Sequence, residues 1–200
     1  QQANFWVTKV DANGQIVRNI SYPGVYGGDI QPTADGNFVV AGTVMDVGDS
    51  QVFLTKLSPA GTVLWTSTLG DADHNHAHAV VQTSDGGYAI TGHTKSPAND
   101  RQIMLLRTNA NGQQQSLKGF GTATNDVGLT IKLNSDGQFV IGGYQNGGTR
   151  VAGEPVMLTV SADGAELARK SLAGPASRLL GAATTADGGL LFVGHAQQNT

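Results

Sequence analysis

The sequence predicts an all-β fold, a four-bladed β-propeller with four antiparallel strands per blade, and three observations carry that prediction. An Asp-Gly turn recurs as Asp35-Gly36, Asp85-Gly86, Asp136-Gly137 and Asp187-Gly188, at spacings of 50, 51 and 51 residues. A second turn recurs as Asn13-Gly14, Ala60-Gly61, Asn111-Gly112 and Asp163-Gly164, at spacings of 47, 51 and 52. A glycine follows each Asp of the first series at a fixed offset of seven residues: Gly42, Gly92, Gly143 and Gly194. Four-stranded units repeating every ~50 residues are the signature of propeller blades.

Each turn sits between alternating apolar segments, the pattern of a β-hairpin, and Asn-Gly or Asp-Gly suits a type I′ turn with positive φ at both central residues. Helical periodicity is absent. In each repeat the first strand, A, is short and small, as at Ala77, Ala79 and Val81, which suits the crowded axis of a propeller. Strand B carries larger apolar residues, such as Phe38 to Val40 and Phe139 to Ile141. Strand C reads Phe53-Leu54, Met104-Leu105 and Met157-Leu158. Strand D, the outer edge, is the most polar, as in Thr66-Ser67-Thr68, and polar edges resist pairing with other chains. The chain starts with a C–D pair and ends with an A–B pair. One domain over residues 1–200 follows, with blades at about 27–69, 77–120 and 127–172, and a fourth made by joining 179–195 to 5–22. The N-terminal C–D hairpin pairs with the C-terminal A–B hairpin and closes the ring.

The segments Gln82-Thr83-Ser84-Asp85-Gly86-Gly87-Tyr88-Ala89-Ile90-Thr91-Gly92 and Phe53-Leu54-Thr55-Lys56-Leu57, with Trp65 after it, resemble the DGGY-type repeats of secreted bacterial β-propeller proteins. The resemblance spans all four repeats and is weakest in the fourth, where Val160 stands for the basic residue seen at Lys9, Lys56 and Arg107. It implies a propeller fold and frequent export, and it implies no reaction, because one fold hosts many functions.

Twelve Lys and Arg against fifteen Asp and Glu give a net charge of −3, with the basic residues scattered. Nucleic-acid binders concentrate basic residues to displace counterions, so nucleic acid is excluded as a partner. No apolar run is long enough for a membrane-spanning helix. The absence of cysteine removes disulfide and thiolate chemistry. A surface rich in Gln, Asn, Thr and Ser, and a start without Met, point to a location outside the cytoplasm, periplasmic or secreted, and the chain is expected to be a monomer rather than an oligomer.

Function is sought on the D–A and B–C connections, which the topology gathers at one face: Tyr22–Asp29, Gly70–His76, Gly121–Asp126 and Ala173–Arg178, with Met45–Ser50, Lys95–Arg101 and Asn146–Glu154. The densest polar cluster runs from Asp71 to His78. Alternate residues on an extended segment share a face, so His74, His76 and His78 are candidate ligands for zinc. Asp71, Asp73 and Asn75 also begin a calcium-loop pattern, but His76 stands where that loop needs Gly and Gln82 where it needs Glu. No catalytic constellation is visible: there is no nucleophile elbow, phosphate loop or sialidase-type Asp box. The loops differ between repeats, which favours one asymmetric partner over repeated sugar sites. The expected function is therefore a non-catalytic exported module that engages a protein, as an inhibitor or immunity-type protein of a secreted enzyme. Its contact residues would be Tyr22, Tyr26, Asp71, Asp73, His74, Asn75, His76, Arg101, Asn125, Asp126, Arg150 and Arg178. A carbohydrate-binding propeller and a metal-assisted hydrolase are the alternatives; Trp6 and Trp65 are expected in packed strands rather than as sugar platforms.

Overall fold

A computed structural model describes residues 4–46, 49–72, 74–98, 100–122, 124–147, 153–172, 177–187 and 189–196. The fold is all-β, with antiparallel sheets throughout. Strands β1 (Asn4–Val10) and β2 (Ile16–Pro23) form a two-stranded sheet. Strands β3 (Val25–Pro32), β4 (Phe38–Asp46), β5 (Asp49–Leu57) and β6 (Val63–Leu69) form the first four-stranded sheet. Strands β7 (His76–Gln82), β8 (Tyr88–Lys95), β9 (Arg101–Thr108) and β10 (Gln114–Phe120) form the second. The third contains β11 (Asn125–Leu133), β12 (Phe139–Gly147), β13 (Glu154–Val160) and β14 (Glu166–Ser171). Strands β15 (Ser177–Thr184) and β16 (Leu190–Ala196) form a second two-stranded sheet.

The recurrent turns form the expected hairpins by a different geometry. Gly36 and Gly86 take positive φ while the aspartates before them do not. The Gly36 amide donates to the Thr33 carbonyl, and the Thr33 amide to the Asn37 carbonyl. This is a type I turn closed by a left-handed glycine, not a type I′ turn. The carboxylate of Asp35 accepts from the Asn37 amide and the Thr33 hydroxyl, so Asp is kept for its side chain. Tyr22–Asp29 is not a loop either: β2 runs to Pro23 and β3 starts at Val25, with Gly24 at φ +75° turning the chain between two sheets.

Every first strand carries a bulge at one place: between Gly27 and Asp29, Ala77 and Ala79, Gly128 and Thr130, and Leu179 and Gly181. The fixed-offset glycine faces that bulge. A Cβ at Gly42, Gly92, Gly143 or Gly194 would collide with the carbonyl oxygen of Tyr26, His76, Val127 or Arg178 respectively. The seven-residue offset thus records a close backbone approach repeated four times.

The sheets stack through the first strands, with β3 against β7, β7 against β11, and β11 against β15. Val39, Ala41, Val52 and Leu54 of the first sheet meet Val80, Tyr88, Ile90, Met104 and Leu106 of the second. Ala79, Ala89, Ile103 and Leu105 meet Ile131, Phe139, Ile141, Val156 and Leu158 of the third. Cross-strand register aligns Lys56 with Val39, Arg107 with Ala89 and Thr159 with Val140, so Thr159, not Val160, occupies the position of the basic residue. The expected closure is not formed: no pairing joins β16 to β1 among the described residues. Trp65 packs on the core as expected, but Trp6 is 64 % exposed, and among the described residues β1 pairs with β2 alone.

Candidate functional site

The connections between sheets, and those between the second and third strands of each sheet, lie at the end where the first strands begin. At that end of the second sheet four imidazoles lie close together. His76 is the register partner of His93, and their rings stack with centroids 4.5 Å apart and planes 11° from parallel. His78, the residue extruded by the bulge of β7, lies with its ring 5.7 Å from that of His93. His74 turns the other way, its Nδ1 3.4 Å from Asp49 Oδ1.

Electrostatics keep the inner imidazoles neutral. Burial lowers the pKa of His93 to about 2, reinforced by His76, His78 and Arg101. Burial lowers that of His78 to about 4, with His76 and Arg101 adding to it. His76 is lowered by burial, then by Arg101 and His74. Arg101 is the permanent charge that acts on all three, and its register partner across β8 and β9 is Lys95. The Nδ1 atom of His93 is buried and has no hydrogen-bond partner among the described residues. The site is thus a cluster of unprotonated imidazoles under a cationic rim, able to donate, accept or take up a proton.

The remaining expected contact residues divide between structure and surface. Asn75 is fully buried: its amide donates to the Ser50 carbonyl at 2.7 Å and its Nδ2 to Asp71 Oδ1 at 2.9 Å. Asp126, also fully buried, accepts from the amides of Thr122 and Asn146 and from the Thr122 hydroxyl. It fastens two connections together and holds Asn146 at φ 56°, a left-handed conformation that Asn tolerates. Replacing Asp126 by Ala strands those two amides, and we expect a loss of about 2–3 kcal/mol in urea unfolding. Asn125 Oδ1 accepts from the Arg101 amide at 3.1 Å and ties β11 to β9. Tyr22 stacks on Phe5 and meets Phe53 edge-on, and burial raises its pKa. Tyr26 is 50 % exposed in β3, and the Arg178 guanidinium lies 5.0 Å from the centre of the Tyr144 ring. Asp73 and Arg150 lie outside the described residues.

The zinc triad is not assembled as expected. Among the described residues no three His, Asp or Glu side chains gather as metal ligands. The bulge at His78 breaks the alternation on which the triad depended, His74 pairs with Asp49, and His76 and His93 stack face to face instead of pointing at a common centre. His93 was missed by sequence reasoning because it lies on the neighbouring strand. Its signal was present: Gly92 fixes the register, and the next residue must then face His76.

No family model and no curated protein matches the chain. Among solved structures, the chain is similar to a protein provisionally described as a gluconolactonase, at 14 % identity and a TM-score of 0.49, covering 83 % of this chain and 54 % of the other. A second, described as a eukaryotic initiation factor, is 9 % identical with a TM-score of 0.39, covering 94 % of this chain and 54 % of the other. The chain therefore spans about half the length of each. The expected non-catalytic module docking a protein through this face is set aside. Two residues chosen as contacts, Asn75 and Asp126, are spent inside the fold, and a third, Tyr22, is half-buried against Phe5 and Phe53.

Proposed function

We propose that the sheets are blades of a β-propeller, the fourth blade being composed of β15–β16 and β1–β2, and that the imidazole cluster at the start of β7 is its functional centre. There it binds a small organic anion or phosphate against Arg101 and Lys95, beside a neutral imidazole that accepts a proton. The observation that carries this reading is the His76–His93 stack with His78 beside it, under the charge of Arg101 and with His93 Nδ1 unpartnered among the described residues. Two further points support it. The other sheets place Tyr26 with Thr43, Val127 with Tyr144 and Arg178 with His195 at the same register, so the chemistry belongs to one sheet. An anion also offsets the charge of Arg101, which adds to burial in holding these imidazoles unprotonated, so binding raises their pKa values and takes up protons.

Calorimetric titration with citrate and with inorganic phosphate tests the reading. We expect saturable binding whose heat changes with the ionisation enthalpy of the buffer, and a Kd about tenfold weaker for Arg101→Ala, the usual scale for losing one charged hydrogen bond. Heats from the wild type that match those of Arg101→Ala would end the proposal.

A further inference from the structure

Among the described residues the first and last sheets have two strands each, and the two are complementary. In each complete sheet the second and third strands pair from a fixed start, Phe38 with Leu57, Tyr88 with Thr108 and Phe139 with Val160. Each of the latter residues stands three before its Asn-, Asp- or Ala-Gly turn. The same rule for the unpaired edges matches Leu190 with Val10, Leu191 with Lys9, Val193 with Val7 and Gly194 with Trp6.

Charge fits that register. Lys56 Nζ lies 2.6 Å from Asp35 Oδ2, and Arg107 Nη2 lies 3.5 Å from Asp85 Oδ2. Lys9 and Asp187 hold the equivalent positions. Lys9 already donates to the Pro59 carbonyl, as Arg107 does to that of Ala162, and Asp187 is bound to Thr185 and the Gly189 amide with no cation beside it among the described residues.

Shape fits it as well. Val39 and Ala41, buried between sheets, correspond to Leu191 and Val193, of which each is 67 % exposed. Their counterpart is an open apolar cleft of about 410 Å³ lined by Val7, Val10, Ile30, Phe38 and Leu57. A cleft of about 480 Å³ along Val140, Met157, Leu190 and Phe192 lies where the exposed ring of Trp6 would fall.

We infer that β16 of one copy pairs with β1 of a second copy in this register, so that two chains complete each other's fourth blade. The inference rests on the propeller reading above. Within one chain β1 is packed against β3, and β15 against β11, β12 and β13, while the edges of β1 and β16 stay unpaired among the described residues. A second copy satisfies both edges with those contacts unchanged, and a two-fold pair leaves neither edge open.

The natural chain has no cysteine, so cross-linking is clean. Val7→Cys protein mixed with Val193→Cys protein should form a disulfide-linked dimer containing one of each. The pair Phe5→Cys and Leu191→Cys, four residues out of register, should not. Sedimentation should give twice the chain mass, Lys9→Glu should raise the dissociation constant several-fold, and adding Asp187→Lys to it should restore the dimer. A disulfide formed within single chains of a Val7→Cys/Val193→Cys double variant, with monomeric mass, would overturn the second copy and leave the composite blade standing. Absence of any cross-link, or equal cross-linking out of register, would overturn both.

Discussion

Gly92→Ala should be strongly damaging, costing about 3 kcal/mol or more and lowering Tm by roughly 10 °C. The added Cβ would meet the carbonyl carbon and oxygen of His76, which are main-chain atoms and cannot swing aside. Relief requires the bulge of β7 to open, and that bulge positions His76 and His78 around His93. The variant should therefore also weaken anion binding. Gly137→Ala is the control: its φ is +72°, but nothing lies within 4 Å of the added methyl. Only the left-handed conformation is penalised there, by about 1–2 kcal/mol, and Asn should recover much of the loss. Thermal unfolding of the two variants side by side decides the matter; equal losses would mean that close approach is not what the fixed offset encodes.

Acidification should destabilise the protein well before its carboxylates protonate. His78 and His93 have folded pKa values of about 4 and about 2, against an ordinary value near 6.5 when unfolded. Below pH 6.5 the unfolded chain binds protons that the folded chain refuses, so stability falls as pH falls. For His78 the fall runs from about pH 6.5 to about pH 4 and amounts to about 3 kcal/mol, with His93 adding to it across the same window and below. Asp35, Asp49 and Asp85 also lose stabilising interactions in acid, but their lowered pKa values place that loss below the ordinary carboxylate range. A Tm profile from pH 8 to pH 4 should therefore drop by roughly 15–20 °C, the shift that about 6 kcal/mol from the two groups together gives in a chain of this size. In His78→Gln/His93→Gln the drop above pH 4 should largely vanish. A wild-type profile flat to pH 5 would contradict it.

The fold was legible because turns and strand offsets are local. Asp-Gly and Asn-Gly pairs at the repeat spacing mark hairpins, and the seventh-residue glycines mark a backbone contact that any copy of the unit must make. The turn type was read wrongly, since Asp35 acts through its carboxylate rather than through positive φ. Closure was not readable: hydrophobic alternation places Trp6, Leu191 and Val193 on strand faces but does not say which chain covers them. The site was half legible. A run of three histidines on and beside one strand was visible, whereas the bulge that turns His78 toward His93 depends on cross-strand register. Asp126 and Asn75 looked like surface contacts because a polar loop residue reads the same whether it faces water or buried amides.

Nitrogen-15 NMR of the histidine rings, recorded from pH 8 to pH 4 with and without citrate, tests the central claim most directly. The account predicts that His76, His78 and His93 are neutral at pH 7, that His93 has a nitrogen without a hydrogen-bond partner, and that citrate shifts all three rings and raises their pKa values. Rings of His78 and His93 that titrate near pH 6.5 and ignore citrate would contradict it.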